Sequence, residues 1–154
     1  MWGEREARIN DRVRRLAPTP FVIEAFIDNV ARQIGNPVHW IPSLSSGTGM
    51  TGLSVRCQTT GAAVIFSPAG VPPEYSAHCV GHESWHLLEG HLCSARDASA
   101  TYRDGWSGCV ARRREREAER FAKRIGLAAA HATSLAVSDD RTRRLASAFG
   151  LYAG

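Results

Sequence analysis

At 154 residues, with 44% apolar and 22% charged side chains, the chain has the composition of one ordinary globular domain. No apolar run approaches the roughly 20 residues of a membrane span. The charged opening MWGEREARINDRVRR lacks the apolar segment of a secretory signal, so a cytoplasmic protein that does not enter the membrane is expected. The net charge of +4 is only a mild lean towards acidic partners, and Lys123 is the sole lysine among many arginines. Cys57, Cys79, Cys93 and Cys109 form no CxxC pair and read as free thiols.

Residues 4–16 read as a charged helix ended by Pro18 and Pro20. From Phe21 to Ile34, apolar residues recur at helical spacing and Gly35 follows as a stop. PVHWIPSL is a short extended segment, and SSGTGMTG (residues 45–52) a loop. LSVRC and GAAVIFSP read as two short strands joined by a polar turn, and PAGVPPE turns into a further helix. Residues 94–108 read as loop, 109–126 as a strongly charged helix and 138–149 as a last one. This order predicts an α+β domain spanning 1–154.

The helix after PAGVPPE carries GHESWHLLEGH, residues 81–91, within which His82, Glu83 and His86 form an HExxH motif. Positions four apart on a helix stack on one face about 6 Å apart, so both imidazoles can address one metal ion. Glu83 lies beside that face, where it reaches a water held by the metal more easily than the metal itself. Gly81, Trp85, Leu88 and Leu92 line the opposite face, which is expected to bury against the sheet. A helix that merely happens to carry histidines is the bland alternative. A chance HExxH arises on the order of 1% of the time in a chain of this length. The strand before the motif and the apolar back face both favour a metal. Cys79 and Cys93 are too far apart along one helix, roughly 21 Å, to complete a structural zinc site. His91 falls off the register of a third ligand in HExxHxxGxxH and reads as a helix-end histidine.

A catalytic zinc takes three protein ligands and leaves one position for water. The helix RRREREAERFAKRIGL offers the third. Measured from its apolar side (Ala118, Phe121, Ala122, Ile125), Glu115 lies about 70° off and Glu117 about 90° off the other way. Glu119, one turn beyond Glu115, is placed to accept a proton from the far nitrogen of a ligating histidine. That pairing favours Glu115 as ligand with Glu119 behind it, and Glu117 stays open as the fallback. The competing reading of this helix is a solvated, salt-bridged face.

HESWHLLEGH followed some thirty residues later by EREAERFA resembles the ImmA/IrrE family of zinc metallopeptidases. Glu115, Ala118, Phe121 and Ala122 fall in register with that family's second motif, and IGNPVHWIPS and AAVIFSP extend the likeness over roughly residues 21–127. Glu119 stands where the family has Asn or Asp, His78 where an aromatic residue is common, and IGLAAAH replaces a Leu-Leu-Met-Pro-like ending. Residues 1–20 and 128–154 read as peripheral additions. The resemblance implies a mostly helical, zincin-like α+β domain with a small β-sheet packed against the HExxH helix. It implies one zinc ion held by His82, His86 and Glu115, with Glu83 as general base. It also implies a protein substrate such as a helix-turn-helix, DNA-binding repressor.

Tyr75, Tyr102 and His78 are candidates for a second donor to the oxyanion. The strand Ala62–Phe66 is expected to present an edge to an extended substrate. Two rival readings stand beside the peptidase: a catalytically weak metal-binding regulator, and a nucleic-acid-binding module built on Arg112, Arg113, Arg114, Arg116 and Arg120. Those arginines alternate with Glu115, Glu117 and Glu119 around the helix and make no purely basic stripe, so direct nucleic-acid binding is not expected.

Overall fold

A computed structural model describes residues 1–44, 52–91 and 108–148. The described residues form four helices and a mixed three-stranded sheet, a mostly helical α+β arrangement.

Helix α1 (Trp2–Leu16) carries Glu4 in its first turn and Arg14 and Arg15 in its last, matching the helix dipole. Pro18 cannot continue it. Ile9 and Leu16, seven residues apart and so on one face, are buried. Although the sequence reads this stretch as a charged periphery, α1 supplies both side chains to the common core.

Helix α2 (Ile23–Ile34) buries Phe26, Ile27 and Val30. It stops at Gly35, whose φ of 73° is a left-handed conformation that most side chains resist.

Strands β1 (Val38–Leu44), β2 (Leu53–Arg56) and β3 (Ala63–Pro68) assemble in the order β1-β3-β2. β3 pairs parallel with β1 and antiparallel with β2. Both of its edges are therefore taken, which corrects the expectation that Ala62–Phe66 offers an edge to substrate. A strand whose two neighbours occupy its N–H and C=O groups has none left for a peptide.

Helix α3 (Pro73–Leu88) begins with proline at its first position, where a missing N–H costs nothing. Its apolar side packs chiefly on α4 (Gly108–Ala148), with β2 and β3 touching it as well. The back face of the HExxH helix thus meets a helix rather than mainly the sheet. Trp85 is fully buried with its ring centroid 5.2 Å from that of Phe121. Gly81 lies so close to α4 that a Cβ there would sit 3.1 Å from the Ile125 Cβ and 3.3 Å from the Ala122 Cα.

The sequence reading of two helices, 109–126 and 138–149, also needs correction. α4 is one helix of 41 residues. The intervening LAAAHATSLAV contains neither proline nor glycine and is rich in alanine, so helix propensity carries the chain through it. Gly126, where the first of the two expected helices was to end, permits close packing. A Cβ on it would lie 3.2 Å from the Glu74 carbonyl oxygen and 3.3 Å from the His78 Cβ. Among the described residues, no helix is long and apolar enough to cross a membrane.

Candidate metal centre

The half-buried side of α3 that carries His82 and His86 looks towards Glu115 of α4. His82 Nε2 and His86 Nε2 stand 3.2 Å apart. Glu115 reaches both, with Oε2 3.2 Å from His82 Nε2 and Oε1 3.3 Å from His86 Nε2. Donors held 2.0–2.1 Å from one tetrahedral zinc ion would be separated by about 3.3–3.4 Å. The triangle of two imidazole nitrogens and a carboxylate fits that spacing and that donor chemistry. Among the described residues, His82, His86 and Glu115 are the one group of three or more such side chains that converges in this way.

The electrostatics match the geometry. Hydrogen bonds from His82 and His86 hold the Glu115 carboxyl well below the usual carboxylate range. Burial pulls the His82 pKa down, yet the hydrogen bond to Glu115 and the charges of Glu83, Glu115 and Glu119 together raise it above its ordinary value. A metal cation would take the place of the protons that these groups share.

Glu83 points towards β2. The Ser54 hydroxyl donates to its Oε2 at 2.8 Å. A Cβ at Gly52 would lie 2.9 Å from the Glu83 Cγ, so any side chain there would have to displace Glu83. The strand thereby orients a carboxylate beside the two histidines.

Glu119 stands one turn beyond Glu115, as expected. Its Oε2 is 3.8 Å from His82 Nδ1 and 3.3 Å from His78 Nε2, and its Oε1 is 3.6 Å from Lys123 Nζ. It therefore approaches the far nitrogen of His82 but shares its charge with His78 and Lys123. His78 stacks parallel to Tyr75 with centroids 6.4 Å apart, which places both residues along the same side of α3. Tyr102 lies outside the described residues.

Glu117, the open alternative for the third ligand, turns away from the histidines. Its Oε2 is 3.2 Å from Arg8 Nη2 and its Oε1 is 3.9 Å from Arg5 Nε, and it is only 8% exposed. The same side of α3 carries Trp85, with the guanidinium carbons of Arg8 and Arg12 5.5 and 5.0 Å from its ring centroid. Both arginines also reach Glu89. This second charged cluster clamps α1 onto α3 and α4.

His91 is the site residue whose importance the sequence reading missed. Its Nδ1 lies 3.1 Å from His86 Nδ1. Burial first, then the charges of Arg114 and His86, push its pKa down to about 4. The signal was present in Gly90, a glycine placed where it ends α3 and turns the chain back. Comparison of the chain with protein families, curated proteins and solved structures returned no match.

Proposed function

We propose that this chain is a zinc-dependent endopeptidase with a zincin-like arrangement of helix and sheet around its metal. The observation that carries the reading is the 3.2–3.3 Å triangle of His82, His86 and Glu115 with Glu83 held next to it by Ser54. His82, His86 and Glu115 would hold the ion. Zinc, when bound, acts as a Lewis acid that brings the pKa of water towards about 7 and polarises a carbonyl.

Glu83 takes the proton of the attacking water and returns it to the departing amine. Its hydrogen bond from Ser54 fixes the carboxylate in one orientation, which lowers the reorganisation needed at the moment of transfer. His78, beside Glu119, is the described candidate for a further donor to the oxyanion. The extended substrate pairs along β2 rather than β3, because among the described residues β2 is bonded to β3 on one side only. The strand carrying Ser54 would then bring a backbone carbonyl past Glu83.

A pairing of this kind selects an unstructured segment of a protein. Together with the likeness of HESWHLLEGH and EREAERFA to the ImmA/IrrE peptidases, it supports a regulatory protein in the cytoplasm as substrate, such as a helix-turn-helix repressor. A binding module that only docked on a partner would have no use for a carboxylate oriented as Glu83 is.

The test is metal content by mass spectrometry after reloading with zinc, alongside cleavage of a quenched-fluorescence peptide library. One zinc per chain and cleavage in the wild type, with zinc but no cleavage in Glu83→Gln, is the expected result. A wild type that takes up no zinc sinks the proposal.

A further inference from the structure

The end of α3 is built as a helix stop that places one imidazole against another. Gly90 adopts φ 67°, and its N–H donates to the Leu87 carbonyl at 3.2 Å. The His91 N–H donates to the His86 carbonyl at 2.8 Å. These two bonds define a Schellman motif, which brings the second residue past the helix back over the residue five positions earlier. An apolar contact commonly joins those two positions. Here they are His91 and His86, whose ring centroids are 5.3 Å apart and whose Nδ1 atoms are 3.1 Å apart.

Two ring nitrogens at that distance need one proton between them. His86 turns its Nε2 towards His82 and Glu115. If that nitrogen is to give its lone pair to a metal ion, the proton of a neutral His86 must sit on Nδ1, where His91 Nδ1, 3.1 Å away, is placed to accept it. His91 then keeps its own proton on Nε2. Among the described residues, His82 has no equally close support, since Glu119 stands 3.8 Å from its far nitrogen.

Resting on the peptidase reading, we propose that His91 is a positioning residue: its unprotonated Nδ1 accepts the Nδ1 proton of His86, locking that ligand in the tautomer and ring orientation that present Nε2 to zinc. Metal-binding histidines usually rely on a carboxylate, a backbone carbonyl or water for this service. The helix stop supplies an imidazole instead, so metal affinity is tied to the geometry of the turn at Gly90.

The experiment compares zinc affinity, by competition with a fluorescent chelator, in the wild type, His91→Leu and His91→Asn. Leucine keeps an apolar contact across the helix stop but accepts no proton. Asparagine offers Oδ1 close to where Nδ1 stands. Melting curves of the three proteins before zinc addition check that the stop survives. The expected outcome is a loss of about 10–100-fold in affinity for His91→Leu, the range typical for removing such a partner, with most of it restored in His91→Asn. Long-range ¹H–¹⁵N spectra of the zinc-loaded wild type should show His86 protonated at Nδ1 and His91 at Nε2. A His91→Leu protein that binds zinc as tightly as the wild type overturns the assignment, as do equal losses in the two variants or a proton on His91 Nδ1. Zinc uptake by the wild type with an indifferent His91→Leu would remove only the role of His91. No uptake by the wild type would remove the peptidase reading as well.

Discussion

On one side of α3, Glu115 meets the ring nitrogens of His82 and His86; on the other, Glu117, two residues along α4, meets the guanidinium groups of Arg5 and Arg8. The two carboxylates belong to one helix and differ by a rotation of about 200°. Their bases separate their chemistry. An imidazole can shed its proton near neutral pH and offer a lone pair, whereas a guanidinium keeps its protons and offers none. The first cluster can therefore exchange protons for a metal ion, while the second can only bind elements together. Identical acids acquire a metal-binding capacity or a structural role from the helix that faces them, α3 for Glu115 and α1 for Glu117.

The contrast breaks most visibly in the chemistry. Glu83→Gln is expected to lower peptide cleavage by about 10²–10⁴-fold, the usual worth of a general base, while zinc stoichiometry and melting temperature stay at wild-type values. Rate measurements on zinc-loaded protein check this.

The two glutamates themselves give the next largest effect. Glu115→Gln should weaken zinc binding by more than the about 10–100-fold expected of an outer partner. Glu117→Gln should leave zinc affinity unchanged and cost about 1 kcal/mol of stability, because the buried side chain gives up the charge that attracts the exposed guanidinium groups of Arg5 and Arg8. Chelator competition and denaturant melts on both variants would separate them, and equal zinc loss in the two would refute the assignment.

A subtler perturbation works through packing. In Gly81→Ala the new methyl group meets Ile125 and Ala122, pushing α4 away from α3. A stability loss of about 1–3 kcal/mol is expected for such overpacking, with zinc affinity falling severalfold because Glu115 rides on the displaced helix.

The smallest effect is on pH dependence. The raised His82 pKa means that its stabilisation is complete below its ordinary value of 6.5 and is lost as pH rises through the raised value. The depressed Glu115 pKa means that its contribution is present above 4.5 and is lost as pH falls through the lowered value. Protein stripped of metal should gain most from this pair between those two pH values. Zinc affinity should rise with pH through the upper part of the window, since the ion displaces the His82 proton. Melting temperatures and zinc titrations at several pH values would reveal both trends, and a flat profile would contradict them.

Much of the site was legible in the chain because it is local. The HExxH spacing places two imidazoles on one face of any helix, Gly35 announces the end of α2, and the prolines of PAGVPPE announce the start of α3. The two strands beside the motif were equally plain in LSVRC and GAAVIFSP. Reading α4 as two helices failed because the charged pattern that marks 109–126 fades in the alanine-rich stretch after Gly126, although helix propensity carries the chain on. His91 was passed over for another reason. As a position in a string it ends a helix, but as C″ of a Schellman motif it touches His86.

The sequence by itself therefore determined that two histidines share one helix face, with a glutamate beside them, on an amphipathic helix, since these follow from a 3.6-residue repeat acting over one or two turns. Tertiary structure alone brought Glu115 to the two histidines and Glu117 to the arginines, made β3 the central strand with β2 beside Glu83, and set Trp85 against α4 and the arginines of α1. Helical periodicity states which side chains share a face but not which element that face will meet. That choice is made when α1, α2, the sheet, α3 and α4 bury their apolar stripes together in one core.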